Sequence, residues 1–245
     1  MSTPQTPPPA RPHQADLHVA GVDASGERVV VFRLAHGVDP VRALRGLGWV
    51  SEGVRDIDTV TDRGHELTLV YAVRPAAAGD APAAEVAVPT DPSLVRAPGE
   101  DVHPYQRAAA YGLVHSDRGV LLTQLSETTN AAGRWTLPGG GIDAGESPLQ
   151  ALHREVWEES GQDIEDAEVL DIHTQHWIGR APSGRLEDFH AVRIVFTALC
   201  PRPTDPVVYD VGGSTAAVRW VDPADLGRYR ITRSFAPHLE AWLRP

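Results

Sequence analysis

The chain contains no lysine; all 22 of its basic residues are arginine. That excludes a P-loop lysine, a kinase-type lysine and any Schiff-base mechanism, each of which needs an amine at the reacting group. Cysteine is nearly as scarce. Cys200 stands alone in 245 residues, so no internal disulfide can form and a reducing compartment is expected. Its place at the end of an apolar run fits a small core residue rather than a nucleophile. Positive charge is in deficit, with a net charge of −11, which argues against electrostatic binding of nucleic acid. No apolar run approaches the ~18 residues of a membrane-spanning helix, so no membrane partner is expected. The opening MSTPQTPPPARPHQ has no apolar segment of the secretory-signal kind. A cytoplasmic location is expected.

A chain of 245 residues suits one or two domains. Residues 1–15 are proline-rich, and disorder is expected there. Residues 16–75 read as a small α+β unit of the ββαββ kind. Its expected strands are Leu17–Val22 and Arg28–Leu34 around the turn Asp23–Gly26, then Val54–Val60 and Glu66–Val73 around Thr61–Gly64. Between the pairs, Asp39-Pro40 starts a helix ending near Gly46 or Gly48, with Val41, Leu44 and Leu47 on its apolar side. His18, His36 and His65 are scattered, and no catalytic or metal constellation is expected in this unit. So small a domain has a thin core. It is expected to lean on the rest of the chain or on a second subunit in a homodimer, building an oligomer or shielding one edge of a cleft. Residues 76–103 are rich in alanine and proline and read as a semi-rigid linker.

Residues 104–245 form the second expected domain. Arg107–Ser116 and Val120–Leu125 read as a hairpin, and Arg134–Leu137 as a short strand. Ala167–His176, Phe189–Leu199 and Ala216–Val221 read as further strands, with a loop from Gly179 to Asp188. Short helices are expected from Asp222-Pro223 to Leu226 and from Ser234 to Leu243.

One stretch carries chemistry: Gly139 to Gln162, GGGIDAGESPLQALHREVWEESGQ. Ser147 suits an N-cap, Pro148 the first helical position, and Gln150 completes a capping box. Gly161 suits the C′ position. On a wheel with Glu155 at zero, Glu158 falls at roughly −60° and Glu159 at roughly +40°. Leu149, Leu152 and Val156 share the adjoining arc, where they can dock the helix on a core. Trp157 points away from the acidic arc. Arg154 is the i−4 neighbour of Glu158 and can tether it. Three like charges on one arc weaken a helix unless a divalent cation neutralises them. Oxygen ligands suit Mg²⁺ or Mn²⁺, and Mg²⁺ commonly brings phosphate with it. Glycines at 139 to 141 would let backbone and phosphate approach closely. A solvated acidic helix face is the competing reading.

The spacing Gly140-x5-Glu146-x7-Arg154-Glu155-Val156-x-Glu158-Glu159-x-Gly161 resembles the signature of the Nudix hydrolases, G-x5-E-x7-R-E-U-x-E-E-x-G-U with U apolar. The flank Arg134-Trp135-Thr136-Leu137-Pro138 also agrees. One position departs: Gln162 stands where an apolar residue is usual, with Ile164 placed to take over its packing. The resemblance covers about Tyr105 to Leu243. It implies an α/β/α sandwich with a mixed sheet. It also implies Mg²⁺, with Mn²⁺ as a substitute, on Glu155, Glu158, Glu159 and the Gly140 carbonyl. The implied reaction cleaves the diphosphate linkage of a nucleoside diphosphate derivative with metal-activated water. Glu146 and Arg154 complete the catalytic set by orienting the box. Glu155 or Glu158 is the implied general base; some members use a carboxylate from a later loop, where Glu187 is the candidate. Glu155, at the middle of the arc, is expected to bridge the metals.

Substrate markers are absent from the window Gln175–Gly179, which holds neither a proline nor a tyrosine. Trp177 could stack on a base, although a tryptophan at a strand end is more often a packing residue; His173, His176 and His190 could line the same cleft, and nothing in their spacing demands a metal. The second functional reading is a nucleotide-binding sensor without turnover. Against it, the acidic positions are intact and no basic helix-turn-helix segment follows. Isopentenyl diphosphate isomerase, a third reading, needs a catalytic cysteine, and Cys200 lies in a strand.

Overall fold

The computed structural model describes residues 15–62, 64–80 and 87–244. The disorder expected for the N-terminus falls on residues 1–15, of which 1–14 lie outside the described residues, as does the middle of the linker at 81–86.

The first unit forms as its turn signals and alternation require. Its elements are β1 (Asp16–Val22), β2 (Arg28–Arg33), α1 (Pro40–Gly46), β3 (Trp49–Val60) and β4 (Glu66–Pro75). They build a four-stranded sheet in the order β2-β1-β4-β3. Each hairpin is antiparallel, and the two join through a parallel pairing of β1 with β4. Asp39 caps α1 by accepting the Arg42 amide at 2.9 Å, and Pro40 opens the helix. Leu44 is fully buried, but Val41 and Leu47 are exposed. The expected apolar side thus shrinks to Pro40 and Leu44, because a two-turn helix touches its sheet along one short line. Leu17, Val19, Leu67, Leu69 and Tyr71 belong to the same buried cluster as Ala110, Leu152 and Ile194 of the second unit. The thin core is therefore completed by the rest of the chain.

The second unit contains β5 (His103–Ser116), β6 (Gly119–Leu125), β7 (Trp135–Thr136), β8 (Gly139–Gly141), α2 (Pro148–Ser160), β9 (Glu165–Arg180), β10 (Leu186–Leu199), β11 (Thr215–Val221) and α3 (Ala236–Trp242). A 3-10 turn at Pro223–Arg228 precedes α3. The main sheet runs β11-β6-β5-β10-β9, with β7 on β6 and β8 on β5. It is mixed: β5 and β10 are parallel, and the remaining pairs are antiparallel. α2 buries Ala151, Leu152 and Val156 in the large cluster, whereas Phe235 and Leu239 of the C-terminal helical segment pack with Leu113, Val120 and Val195 in a second one. The expected α/β architecture with a separate N-terminal sheet is present. The loop expected at 179–188 is shorter, because β9 and β10 extend to Arg180 and Leu186. Their alternating partly buried residues continue the ladder past the point where the apolar pattern fades.

The linker is docked. Thr90 bridges Ile178 in parallel, the Ile178 amide donates to Pro89 O at 2.9 Å, and the Asp91 amide donates to Ile178 O at 3.0 Å. Arg180 holds both oxygens of Glu100, at 2.7 and 2.9 Å.

Gln162 is buried at 2% exposure, where an apolar residue was the expectation. Its Nε2 donates to Ser160 O at 3.1 Å and Thr204 Oγ1 at 2.9 Å, while Oε1 accepts the Thr204 amide at 2.9 Å. Ile164 is buried beside it in sequence and supplies the apolar packing. Gln162→Leu should leave the Thr204 amide unsatisfied, at a cost of ~1–3 kcal/mol. The check is the urea midpoint of unfolding; an unchanged midpoint would show that the amide finds water instead.

Candidate active site

The acidic helix is held at both ends by the groups its sequence signals. The Ser147 hydroxyl accepts the Gln150 amide at 3.2 Å and Gln150 Oε1 accepts the Ser147 amide at 2.8 Å. Gly161 closes the helix at φ 65°. The buried face comprises Pro148, Ala151, Leu152, Val156, Glu159 and Ser160. Ala151 thus takes the place expected of Leu149, which is exposed. On the wheel this face is centred at roughly +50°, close to Glu159. The three glutamates therefore differ in depth. Glu159 is 4% exposed, the Glu155 side chain 16% and the Glu158 side chain 42%. That gradient removes the reading of a uniformly solvated acidic face. Trp157 points away, as expected, and stacks on Tyr209 with ring centroids 5.3 Å apart.

Each carboxylate has an assigned neighbour. Glu159 Oε2 accepts the Gly139 amide at 2.9 Å, and Oε1 accepts the Thr215 hydroxyl. Burial nevertheless pushes its carboxyl up to about 7, with those hydrogen bonds opposing. Burial also raises Glu155, against the pull of Arg154. Arg154 donates Nε and Nη2 to Glu146, both at 2.9 Å. Its Nη1 is shared between Glu155 Oε1 at 2.9 Å and Glu158 Oε2 at 3.2 Å, and Nη2 also reaches Gly141 O at 2.9 Å. The expected tether to Glu158 exists, but it does not single Glu158 out. The bidentate Arg154 pairing holds Glu146 below its ordinary carboxylate range, and burial opposes it.

The glycine run is a short strand on β5, pairing Gly139 with Tyr111 and Gly141 with Ala109. A Cβ at Gly139 would lie 2.2 Å from Ala110 O, one at Gly140 2.5 Å from Glu155 Oε1, and one at Gly141 2.2 Å from Arg107 Nη2. The chain's own backbone, carboxylate and guanidinium occupy the space that the sequence reading reserved for phosphate. Gly140 keeps the Glu155 carboxylate against the main chain.

A cavity of about 1180 Å³ opens over these groups, above the ~300–1,000 Å³ usual for small-molecule sites. Gly140, Glu155, Glu158 and Glu159 line it, and so do Arg107, Arg134, Arg193 and Arg233. The N-terminal unit contributes Gly37, Asp39 and Arg42. Asp39 is fixed by the Thr174 hydroxyl, which donates to its Oδ2 at 2.6 Å. Of the aromatic candidates, His176, Trp177 and His190 line the cavity. His173 instead packs on His238, with centroids 4.5 Å apart, and burial lowers it to about 4. Glu187 is on β10, nearly buried and bonded to Arg185, and does not line the cavity.

Sequence reading missed Arg107 and Arg193. Arg193 interrupts the apolar run from Ala191 to Phe196, and a charge inside such a strand was the available signal. Burial lowers its pKa, partly offset by Tyr111, and its Nη1 is buried with no hydrogen-bond partner among the described residues. An unpaired guanidinium nitrogen is costly to bury, and an anionic group at the cavity wall would satisfy it. The glutamates present the complementary problem: carboxylates desolvated with one shared arginine. Hard oxygen donors, two of them raised by burial, fit Mg²⁺ or Mn²⁺.

The NUDIX domain model matches residues 105–243. The nucleoside triphosphatase NudI of Escherichia coli O139:H28 is 28% identical over 131 residues, 51% of this chain and 87% of NudI. The MutT NUDIX hydrolase from Burkholderia pseudomallei, a crystal structure, is 28% identical with a TM-score of 0.43, covering 55% of this chain and 96% of that one. The NUDIX domain of Shewanella oneidensis NrtR, a cocrystal structure with ADP ribose, is 24% identical with a TM-score of 0.41, covering 62% and 90%. The match spans more than half of the chain and includes the helix that carries Glu155, Glu158 and Glu159, so this chain belongs to the NUDIX family.

Proposed function

We propose that the chain is a Mg²⁺-dependent pyrophosphohydrolase that splits the diphosphate linkage of a nucleoside diphosphate derivative with an activated water. One observation carries this reading: three glutamates of graded depth and a set of arginines line the same cavity. Glu155, Glu158, Glu159 and the Gly140 carbonyl would hold Mg²⁺ or Mn²⁺, which supplies Lewis-acid polarisation of phosphoryl oxygens and a lowered pKa for water. The Arg193 Nη1 and Arg107 guanidinium bind phosphate oxygens, and Trp177 stacks on the base. Glu146 and Arg154 position the box. Glu155 or Glu158, both held by Arg154 Nη1, accepts the proton of the attacking water. Residues 104–245 carry the reaction. The unit at 16–75 shields one edge of the cleft through Gly37, Asp39 and Arg42.

The test is a panel of substrates given to the full chain with Mg²⁺. Nucleoside triphosphates lead it, since NudI is named for them; nucleotide sugars, dinucleoside polyphosphates and coenzyme A follow. Phosphate-monoester products from at least one of them are expected. Tight binding of a nucleotide without turnover of any would replace this reading with that of a sensor.

A further inference from the structure

A second set of ligating side chains lies on the seam between the two units. His176 and His190 are cross-strand partners on β9 and β10, and Asp188 is two residues from His190. Strand alternation puts all three on one face. His36, on the turn after β2, meets that face from the N-terminal unit. The candidate ligand atoms of His36, His176 and Asp188 lie within 4.8 Å of one another. His36 Nε2 is 3.2 Å from Asp188 Oδ1, and His176 Nε2 contacts the same oxygen.

Three further observations point to a ligand rather than to a shared proton. First, His36 Nε2 is buried and, among the described residues, has no well-aligned hydrogen-bond partner, although it is 3.2 Å from the carboxylate oxygen. Ligand atoms of a tetrahedral ion bound at ~2.0–2.1 Å stand ~3.3 Å apart, so the His36–Asp188 spacing suits a shared cation, while the closer His176–Asp188 hydrogen bond would open to admit it. Second, His190 is 1% exposed, its ring lies 5.8 Å from those of both His36 and His176, and its Nε2 has no hydrogen-bond partner among the described residues. Its Nδ1 is 2.9 Å from Gln106 Oε1. That oxygen only accepts, so the proton sits on Nδ1 and Nε2 presents its lone pair. This is how a carbonyl partner fixes a ligating imidazole. Third, the approach of His36 depends on a glycine. Gly37 has φ 74°, and a Cβ there would lie 2.4 Å from His176 Cε1.

We propose that His36, His176 and Asp188 form a second cation site, for an imidazole-preferring transition ion such as Zn²⁺, with His190 in reach as a fourth ligand. Two or three imidazoles with one carboxylate are the donor set of such an ion and a poor set for Mg²⁺, which takes oxygen. The site shares no ligand with the glutamate box. Because His36 belongs to one unit and the other ligands to the second, the ion ties the two together across the cavity wall that His176 and Gly37 also form.

Equilibrium dialysis of chelator-stripped full chain against Zn²⁺, in a Glu155→Gln/Glu158→Gln background that weakens the box, tests this. The parent should hold one Zn²⁺ per chain and gain Tm on loading, while Mg²⁺ gives no such gain. Adding His36→Ala should weaken Zn²⁺ binding at least ~100-fold, the upper end of what loss of a mere supporting residue costs, and abolish the Tm gain. Should His36→Ala fail to fold, Asp188→Asn keeps the side-chain shape and serves the same measurement. If the three groups merely share protons, Zn²⁺ affinity and stoichiometry will be equal in the parent and both variants. That result, or no Zn²⁺ held by the parent, overturns the proposal.

Discussion

Glu155→Gln is expected to lose Mn²⁺ affinity before any other property fails. Its carboxylate lies against Gly140, is bonded by Arg154, and is less exposed than Glu158. On the proposed reading it bridges the metal ions, which makes its loss the most damaging of the three. Turnover should fall about 10³-fold, or ~4 kcal/mol of barrier. Glu158→Gln should lower kcat on a similar scale with a smaller loss of affinity, and a variant that removed the base would also lose the acidic limb of the pH–rate profile. Mn²⁺ titration and the pH dependence of kcat at saturating metal, measured on both variants, separate the roles. If Glu155→Gln binds Mn²⁺ as tightly as the parent, the bridging assignment fails and Glu155 becomes the candidate base.

Arg154→Ala is the second large effect. One guanidinium compensates Glu146, Glu155 and Glu158 and binds the Gly141 carbonyl. Removing it leaves part-buried carboxylates without their partner, a change that costs ~3–5 kcal/mol where a pair is well buried. The loss should be lower here, since the Arg154 side chain is 28% exposed. A shift of the glutamates by about 1 Å would slow the reaction ~10²-fold. Divalent metal offers the missing positive charge, so Mg²⁺ should raise the Tm of Arg154→Ala by more than it raises the parent's. Equal Mg²⁺-induced shifts in the two proteins would show that the arginine does not hold the metal ligands in place.

How far these features could be read in advance follows from their range along the chain. The capping of α2, its C-terminal glycine and the acidic arc depend on residues within a few positions of each other, and local periodicity displays them. The depth of each glutamate does not, because it depends on β5, β8 and Thr215 of β11 coming to the helix. The same limit explains Leu149. A wheel places it on the apolar arc, but the face actually covered is set by the approach of the sheet, which selects Ala151. The glycine run was legible as a demand for space, yet not as space for Ala110, Glu155 and Arg107. Arg193 and His36 were visible only as isolated residues, since what gives them meaning is a partner more than a hundred positions away or a cavity wall. Gln162 looked like a packing fault; its amide is matched by Thr204, 42 residues later.

The docking of Thr90 on Ile178 has a bearing on how copies of the chain meet one another. β9 is sixteen residues long and ends the main sheet. A long terminal strand with open amides and carbonyls invites a strand from a neighbouring molecule. Here the amide and carbonyl of Ile178 are already taken by Pro89 and Asp91, β3 packs along β9 as well, and Arg180 is drawn onto Glu100. What reads in the sequence as a spacer between two domains thus covers the sheet margin at Ile178, where a neighbouring strand would otherwise find an open amide and carbonyl.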